Sequence, residues 1–566
     1  MKTPSMLLGA CLLAGAFSTG AAAAQARADA AQIPAAGYRN PILYADYSDP
    51  DVIRVGKDYW LVASSFHFSP GIPVLHSTDL VHWRIASHVL PRLPFHPAYD
   101  MVPPYSLTDA ISKPVGSGQR YAGGVWAPSI RHHDGRFHVY WATPDEGIFM
   151  SSARDPAGPW SAPVAVLPGA GYEDPCPFWD DDGKAYLVHS KVGAGPLVLH
   201  AMSADGTRVL DAGKTIVEDK VNLPVLEGPK LYKRNGYYYI FAPTGGVGTG
   251  PQAVLRARRL DGPWEQRKVL LPGNGLDGPH QGGWVETPSG QGWFIHFNST
   301  GAFGRIGHLQ PLVWRDDWPV IGAPVSGGTA GDGTAGGATA GLPVAGGAMP
   351  DTGAAPSNDR LQDSDEFSGG RLGLQWSWNH NPDDARWSLA QRPGYLRLEA
   401  GPARYLVGAR NVLTQVLQGP ASQVTARLEL GGLGEQQRAG LALFGVKVPW
   451  IGIVREGEAN FLAWANAGEE TRVTRVESKA VLLRATVSAG QDVQFAWAPD
   501  GPAQFRAQFV DVGPPIPLAR FSWWKGSRPA LFTYIKADSD APKSTQTGHR
   551  IDKHYVDVDW VRVAQP

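Results

Sequence analysis

The chain has almost no cysteine: two in 566 residues, Cys11 and Cys176. Cys11 sits in an apolar leader, so removal of that leader leaves one thiol and excludes an intrachain disulfide. A surplus of charge is missing as well. Lys and Arg number 51 against 52 Asp and Glu, which gives no field to draw in nucleic acid or an anionic membrane surface. A neutral ligand fits that balance. Long apolar runs are absent too: the leader's, Met6 to Phe17, is too short to span a bilayer. No amphipathic stretch of four helical turns stands out after it. Disulfide-stapled, nucleic-acid-binding, membrane-spanning and helical-bundle classes therefore fall away.

The leader itself reads as an export signal. Lys2 opens it, Met6 to Phe17 forms its apolar core, and Ala22-Ala23-Ala24 offers a cleavage site before Gln25. Residues 1–24 are assigned to a signal peptide, which predicts a periplasmic or secreted protein. Leu8-Gly9-Ala10-Cys11 only faintly suggests a lipoprotein box, since apolar residues follow the cysteine, and lipidation is disfavoured.

What the chain has in plenty is glycine (68), proline (48) and the aromatics Trp (20), Tyr (18) and Phe (19), a composition suited to a turn-rich all-β protein. Between residues 49 and 290 one pattern recurs five times. A polar or aromatic residue leads into a short strand, a Gly turn and a second, aromatic strand. The leaders are Asp49, Trp126, Asp174, Glu227 and His280, and they precede turn glycines Gly56, Gly135, Gly183, Gly236 and Gly290 by 7, 9, 9, 9 and 10 positions. A hairpin repeat of about fifty residues is the mark of a β-propeller blade, because one small sheet cannot bury both its faces alone. Five copies predict five blades, with the five leaders converging near the axis.

Coarse boundaries follow. The propeller spans 38–322. A Gly/Ala/Thr-rich stretch over 323–360 reads as a flexible linker. Residues 361–566 show short alternating strands, among them Val424–Leu430, Ala439–Phe444 and Val556–Val563, and read as a β-sandwich.

Three carboxylates round one hole suit the splitting of a glycosidic bond with inversion. One acid protonates the leaving oxygen and a carboxylate opposite activates water, about 6.5–9.5 Å away. A third carboxylate nearby disfavours ionisation of the acid by like-charge repulsion. Glu227, with the longer side chain, suits the acid, Asp49 the base and Asp174 the tuner. Asp51, on the same strand face as Asp49, rivals it as base, and spacing does not decide between them. Asp-Pro also opens turns, so each aspartate taken singly reads as a capping residue. Asp180 to Asp182 read as a solvated hairpin turn. Trp126 is read as a floor for a sugar ring, and His280 as a structural hydrogen-bonder or ion ligand at the axis.

At these residues the propeller resembles that of family 43 glycoside hydrolases, the group of β-xylosidases and α-L-arabinofuranosidases. The likeness is carried by Tyr47 to Ile53, Ala63 to Trp83, Gly124 to Pro128, Glu173-Asp-Pro175, Leu226 to Lys230 and Trp318 to Gly322. It implies Asp49 as general base over Asp51, Asp174 as pKa modulator and Glu227 as general acid. It further implies Phe66, Trp126 and Arg305 at the sugar, and a structural calcium or other cation near His280. No cofactor is implied for the chemistry itself. The C-terminal part resembles the concanavalin-like sandwich of β-xylosidase-type members, through Asp365-Glu-Phe367, Trp378 to Trp387 and Asp557 to Trp560. There a sandwich loop closes the pocket with an aromatic residue, for which Phe532 is the candidate. Two departures stand out: a longer linker, and Asn298-Ser-Thr-Gly301 where relatives carry a more charged turn.

The reading is an exo-acting, inverting glycosidase that removes terminal β-D-xylosyl or α-L-arabinofuranosyl groups from hemicellulose oligosaccharides. Its rivals are a non-catalytic sugar-binding propeller and a retaining, fructosidase-like propeller. The partner expected is an oligosaccharide, with neither nucleic acid nor membrane, and the sequence fixes no oligomeric state.

Overall fold

The structure is a computed structural model that describes residues 37–101, 120–325, 339–445, 447–501, 508–518, 524–537 and 554–566. The expected signal peptide, with Cys11, lies outside the described residues.

Five four-strand blades follow one another round an axis, each laid down from hub to rim. Blade I holds Asp51–Val55, Asp58–Val62, Gly71–Ser77 and Arg84–Leu90; blade II holds Trp126–His133, Arg136–Thr143, Gly147–Ala153 and Val164–Pro168. Blade III holds Tyr172–Trp179, Ala185–Lys191, Leu197–Met202 and Lys214–Val217; blade IV holds Lys230–Arg234, Tyr237–Pro243, Gln252–Ala257 and Glu265–Leu270. Blade V holds His280–Glu286, Gly292–Ser299, Arg305–Arg315 and Trp318–Ile321. The first two strands of each blade meet at the glycine turns read from the sequence; Gly56, Gly135, Gly183, Gly236 and Gly290 all have positive φ. Blade faces pack on one another through apolar residues such as Val62, Val74, Ile130 and Val139 between blades I and II, as one small sheet requires.

Of the stretch over 323–360, residues 326–338 lie outside the described residues, and the described remainder departs from the flexible linker expected. Leu270 of blade IV pairs with Gly341 in the short strand Gly341–Leu342, which also pairs with Ala323–Pro324. Gly346–Ala348 pairs with Gly37–Arg39, Ser357 N donates to Asp79 Oδ2, and Leu361 joins the core between blades V and I. The physical reason lies in the small residues that suggested slack. A Cβ on Gly341 would stand 2.0 Å from Ile321 O of blade V, so glycine lets the backbone pass close to blade V while it pairs with the edge of blade IV. With Leu43 and Gly307 exchanging backbone hydrogen bonds, this strap helps close the ring between its first and last blades.

The C-terminal part is a β-sandwich. One sheet contains Gln437–Phe444, Trp450–Glu456 and Arg528–Lys536, and the facing sheet contains Ser422–Glu429, Ala480–Val487 and Tyr555–Ala564. Leu428, Leu441, Ile451, Leu483, Phe495 and Val558 fill the space between them, and Ala302, Phe303 and Ile306 of the propeller belong to the same core. The first sheet continues into the propeller, where Trp378 and Asn379 pair with Ser69 and Phe68. Domains that share a core and a sheet are one packed body.

Candidate active site

At the hub end of the blades the chain repeats one local device. Within two residues of the start of each inner strand, one residue takes a left-handed backbone: Asp49 (φ 54°), Ala127 (36°), Asp174 (56°), Gly228 (61°) and Gln281 (38°). Outside glycine this conformation is uncommon, and it persists where surrounding contacts fix it. The residue just before it enters the hub, giving the ring Ser48, Trp126, Glu173, Glu227 and His280. The five leaders read from the sequence are thus not all equivalent. Asp49 and Asp174 are themselves left-handed residues, whereas Trp126, Glu227 and His280 each stand one place earlier. Proline marks the true register in four blades: Ser48-Asp-Pro50, Trp126-Ala-Pro128, Glu173-Asp-Pro175 and Glu227-Gly-Pro229.

A cavity of about 400 Å³ opens at this hub, lined by Asp49, Phe66, Trp126, Glu173, Asp174, Glu227, Gln281, Arg305 and Trp524 among others. That is the size of a small-ligand site. Asp49 is 5% exposed. Its Oδ2 accepts from Ser64 Oγ at 2.5 Å and Ser48 Oγ at 2.9 Å, and its Oδ1 pairs with Arg305 Nη1 at 2.6 Å. Across the hub, oxygens of Glu173, Asp174 and Glu227 lie within 4.8 Å of one another. Asp174 Oδ2 accepts from Gly228 N at 2.7 Å, and Glu227 Oε1 shares a 2.8 Å hydrogen bond with His280 Nε2. Burial first, and then the Glu227 and Asp49 charges, push the Asp174 carboxyl up to about 7. Burial, followed by the Asp174 and Glu227 charges, pushes Glu173 up to about 9. Crowded, buried carboxyls hold protons because each ionisation is made against its neighbours and without water.

The structure therefore brings Asp49, Asp174, Glu227, Phe66, Trp126 and Arg305 into one cavity. Phe66 is held there by paired backbone bonds to Val125 (both 3.0 Å); a Cβ on Gly124 would stand 2.1 Å from Phe66 O, so this approach requires glycine. Trp126 donates Nε1–H to Ala122 O. Asp51 stands elsewhere, accepting from Ile130 N and pairing with Arg131 to tie blade I to blade II. Asp180 also departs from a wholly solvated turn: it accepts from Tyr238 Oη and pairs with Lys233.

His280 is wholly buried and holds Glu227, without itself lining the cavity. Calcium takes about six to eight oxygen ligands, while the atom His280 has left is one ring nitrogen, Nδ1, buried without a hydrogen-bond partner. One nitrogen does not by itself make a calcium site, and no step below passes through a metal.

Phe532 is not in the cavity. It lies in Arg528–Lys536, 1% exposed, with its ring against Trp450 and Tyr534. Alternation along that strand turns it into a packed apolar cluster. Among the described residues, the sandwich residue that does reach the cavity is Trp524, whose ring meets Trp126 edge-on at 5.4 Å. Asp46 fixes this approach: Oδ2 accepts from Gly526 N and Oδ1 from Arg305 N, both at 2.9 Å. One buried carboxylate thus positions both a propeller residue and a sandwich segment at the same cavity. Glu173, Gln281 and Trp524 escaped the reading of the sequence. The Glu-x-Pro spacing shared by Glu173 and Glu227 is the signal that finds Glu173; nothing local marks Trp524.

A propeller of five blades whose hub cavity is lined by facing carboxyls, packed on a sandwich, carries the groups that glycoside hydrolysis uses. Residues 38–319 match Glycosyl hydrolases family 43, and residues 364–563 match the Beta xylosidase C-terminal Concanavalin A-like domain. The chain is 45% identical over 421 residues to a putative β-xylosidase of Xylanibacter ruminicola, covering 74% of this chain and 73% of that one. It is 30% identical over 579 residues to a β-xylosidase of Formosa agariphila, covering 92% and 89%. A non-reducing end α-L-arabinofuranosidase of Bacteroides ovatus is 31% identical over 64% of this chain and 65% of its own. Among solved structures, a bifunctional GH43-CE protein of Bacteroides eggerthii superposes with a TM-score of 0.77 at 27% identity, over 94% of this chain and 64% of that chain. The protein belongs to glycosyl hydrolase family 43 and is a glycosidase.

Proposed function

We propose that the protein is an exo-acting, inverting glycosidase that releases terminal β-D-xylosyl or α-L-arabinofuranosyl groups from hemicellulose oligosaccharides. The observation that carries this reading is the division of the cavity: Asp49 on one wall, fixed by Arg305 and two hydroxyls, and Glu227 on the other, among buried carboxyls. Glu227 protonates the leaving oxygen. Asp49 takes a proton from the water that attacks the opposite face of the sugar. Asp174 orients the acid side through Gly228 N, next in chain to Glu227. Phe66 and Trp126 supply apolar surface for the ring, and Arg305 a cationic donor. Trp524, reaching in from the sandwich, supports exo action by narrowing the cavity on one side. No cofactor enters this chemistry.

Incubating the purified protein with nitrophenyl β-D-xyloside and α-L-arabinofuranoside, and following the freed anomer by NMR, tests the proposal. The expected product has inverted configuration; a retained anomer, or release of neither sugar, overturns it. The same reading places the protein in the periplasm or outside the cell, supported by the leader Lys2 to Ala24. Among the described residues, no helix is long and apolar enough to cross a membrane. N-terminal sequencing of the exported protein should begin near Gln25.

A further inference from the structure

Glu173 has no role in the mechanism above, yet its carboxyl stands in the wall of the cavity. It is 6% exposed, lines the cavity, and forms no ion pair with Lys or Arg among the described residues. It occupies in blade III the position that Trp126 occupies in blade II and Glu227 in blade IV, one residue before the left-handed turn. Two other members of that ring line the cavity, so the local backbone aims Glu173 at the same space.

Its two oxygens are used unequally. Oε1 accepts from Ala194 N at 2.9 Å and faces Ser190 Oγ at 3.4 Å. Oε2 takes no hydrogen bond from the described residues and is not among the polar atoms sealed from solvent without a partner. It is therefore open to the cavity. The charges facing the group are Asp174 on its own strand and Glu227 from blade IV, both acidic, and beyond them Asp49 of blade I, itself paired with Arg305 of blade V. Burial first, and then these two acidic neighbours, push the carboxyl up to about 9. With Oε1 accepting from a backbone amide, the proton belongs on the free oxygen. A buried neutral acid is a hydrogen-bond donor at a pH where an exposed glutamate is only an acceptor.

The geometry points to Glu173 as a specificity-determining residue whose Oε2–H donates a hydrogen bond to a hydroxyl of the sugar held in the cavity. This rests on the glycosidase reading, since it needs a sugar there. It gives the site a preference for substrates bearing that hydroxyl free, over those in which it is deoxygenated or acylated. A site built to bond one hydroxyl discriminates strongly against its loss, because the polar partner is then stranded.

The experiment compares wild type, E173Q and E173M on a nitrophenyl pentoside and its monodeoxy analogues. Glutamine keeps a donor beside an acceptor for Ala194 N; methionine keeps the length and loses the donor. E173Q is expected to retain kcat/KM within about tenfold, and E173M to lose about a hundredfold. On the one analogue lacking the bonded hydroxyl, wild type and E173M should converge to within about threefold. Equal losses for E173Q and E173M, or an E173M loss that is the same on every analogue, overturn the proposal. E173A carries the same comparison should the methionine variant not fold. Wild type inactive on both pentosides would instead defeat the glycosidase reading, so the two failures are told apart.

Discussion

The two walls of the cavity treat the same functional group in opposite ways. On the side of blades III and IV, Glu173, Asp174 and Glu227 crowd within 4.8 Å of one another, and no Lys or Arg pairs with any of them among the described residues. On the side of blades I and V, Asp49 meets a guanidinium and two hydroxyls. On the first wall burial and repulsion hold protons on Glu173 and Asp174; on the second the polar groups orient one carboxylate. Hydrolysis with inversion asks for this asymmetry, a proton given on one face and taken on the other. The difference comes from neighbours rather than from side-chain type, as it does wherever two carboxyls in one site take separate roles.

The largest effect should come from breaking either wall at its centre. Asp49→Asn leaves Arg305 and Ser64 a similar shape but no base, and kcat should fall on the order of 10³- to 10⁴-fold on every substrate. Glu227→Gln should cost as much on xylo-oligosaccharides but at least about tenfold less on nitrophenyl glycosides, whose leaving group hardly needs a proton. Steady-state kinetics on both substrate types check the pair. Equal behaviour of the two variants on the two substrates would erase the distinction between the walls.

How much of this was legible in the sequence depends on how local each feature is. Blades announce themselves because turn glycine and aromatic strand recur, and the sandwich because its strands alternate. Asp49, Asp174 and Glu227 were legible because Pro or Gly beside each marks a bend that recurs. Glu173 was hidden by register. Aligning Asp49 with Trp126, rather than Ser48 with Trp126, shifted two blades by one place, and only the left-handed backbone shows the true equivalence. The strap over 339–360 was misread because composition reports what a segment can bury, not which edge its backbone can pair with. Phe532 and Trp524 were exchanged for a similar reason. Which sandwich aromatic faces the propeller is set by the Asp46 bridge, whose partners are 480 residues apart in the chain.

A smaller effect concerns stability, and it again separates the walls. Burial, and then the Glu227 and Asp49 charges, push the Asp174 carboxyl up to about 7 in the folded protein from an ordinary 3.8. Between those values the native state binds more protons than the unfolded chain, so stability is whole at the acidic end and is lost as pH rises through 7. Asp174→Asn keeps an acceptor for Gly228 N while removing the charge. The variant should be the more stable protein at pH 8, by on the order of 2 kcal/mol, with the gain gone near pH 4. Activity should nonetheless fall. Melting temperatures at the two pH values check this; a variant less stable than wild type at pH 8 would show that the crowded wall is not under electrostatic strain.

The smallest effect tests the third side of the cavity, supplied by the sandwich. Trp524 touches Trp126 edge-on, a contact of about 0.5–1.5 kcal/mol beyond the surface it buries, and stands well away from the proton-carrying groups in role. Trp524→Ala should therefore raise KM for disaccharide-sized substrates up to about tenfold and leave kcat within about threefold, because binding is weakened equally in the ground and transition states. The pH profile should not move, since no titrating group changes its neighbours. Asp46 holds the same segment through Gly526 N, so the backbone stays in place when the indole is removed. A fall in kcat matching the rise in KM would mean that Trp524 acts on the reacting sugar itself and belongs with the two walls. An unchanged KM would mean that the sandwich meets the cavity without touching the substrate.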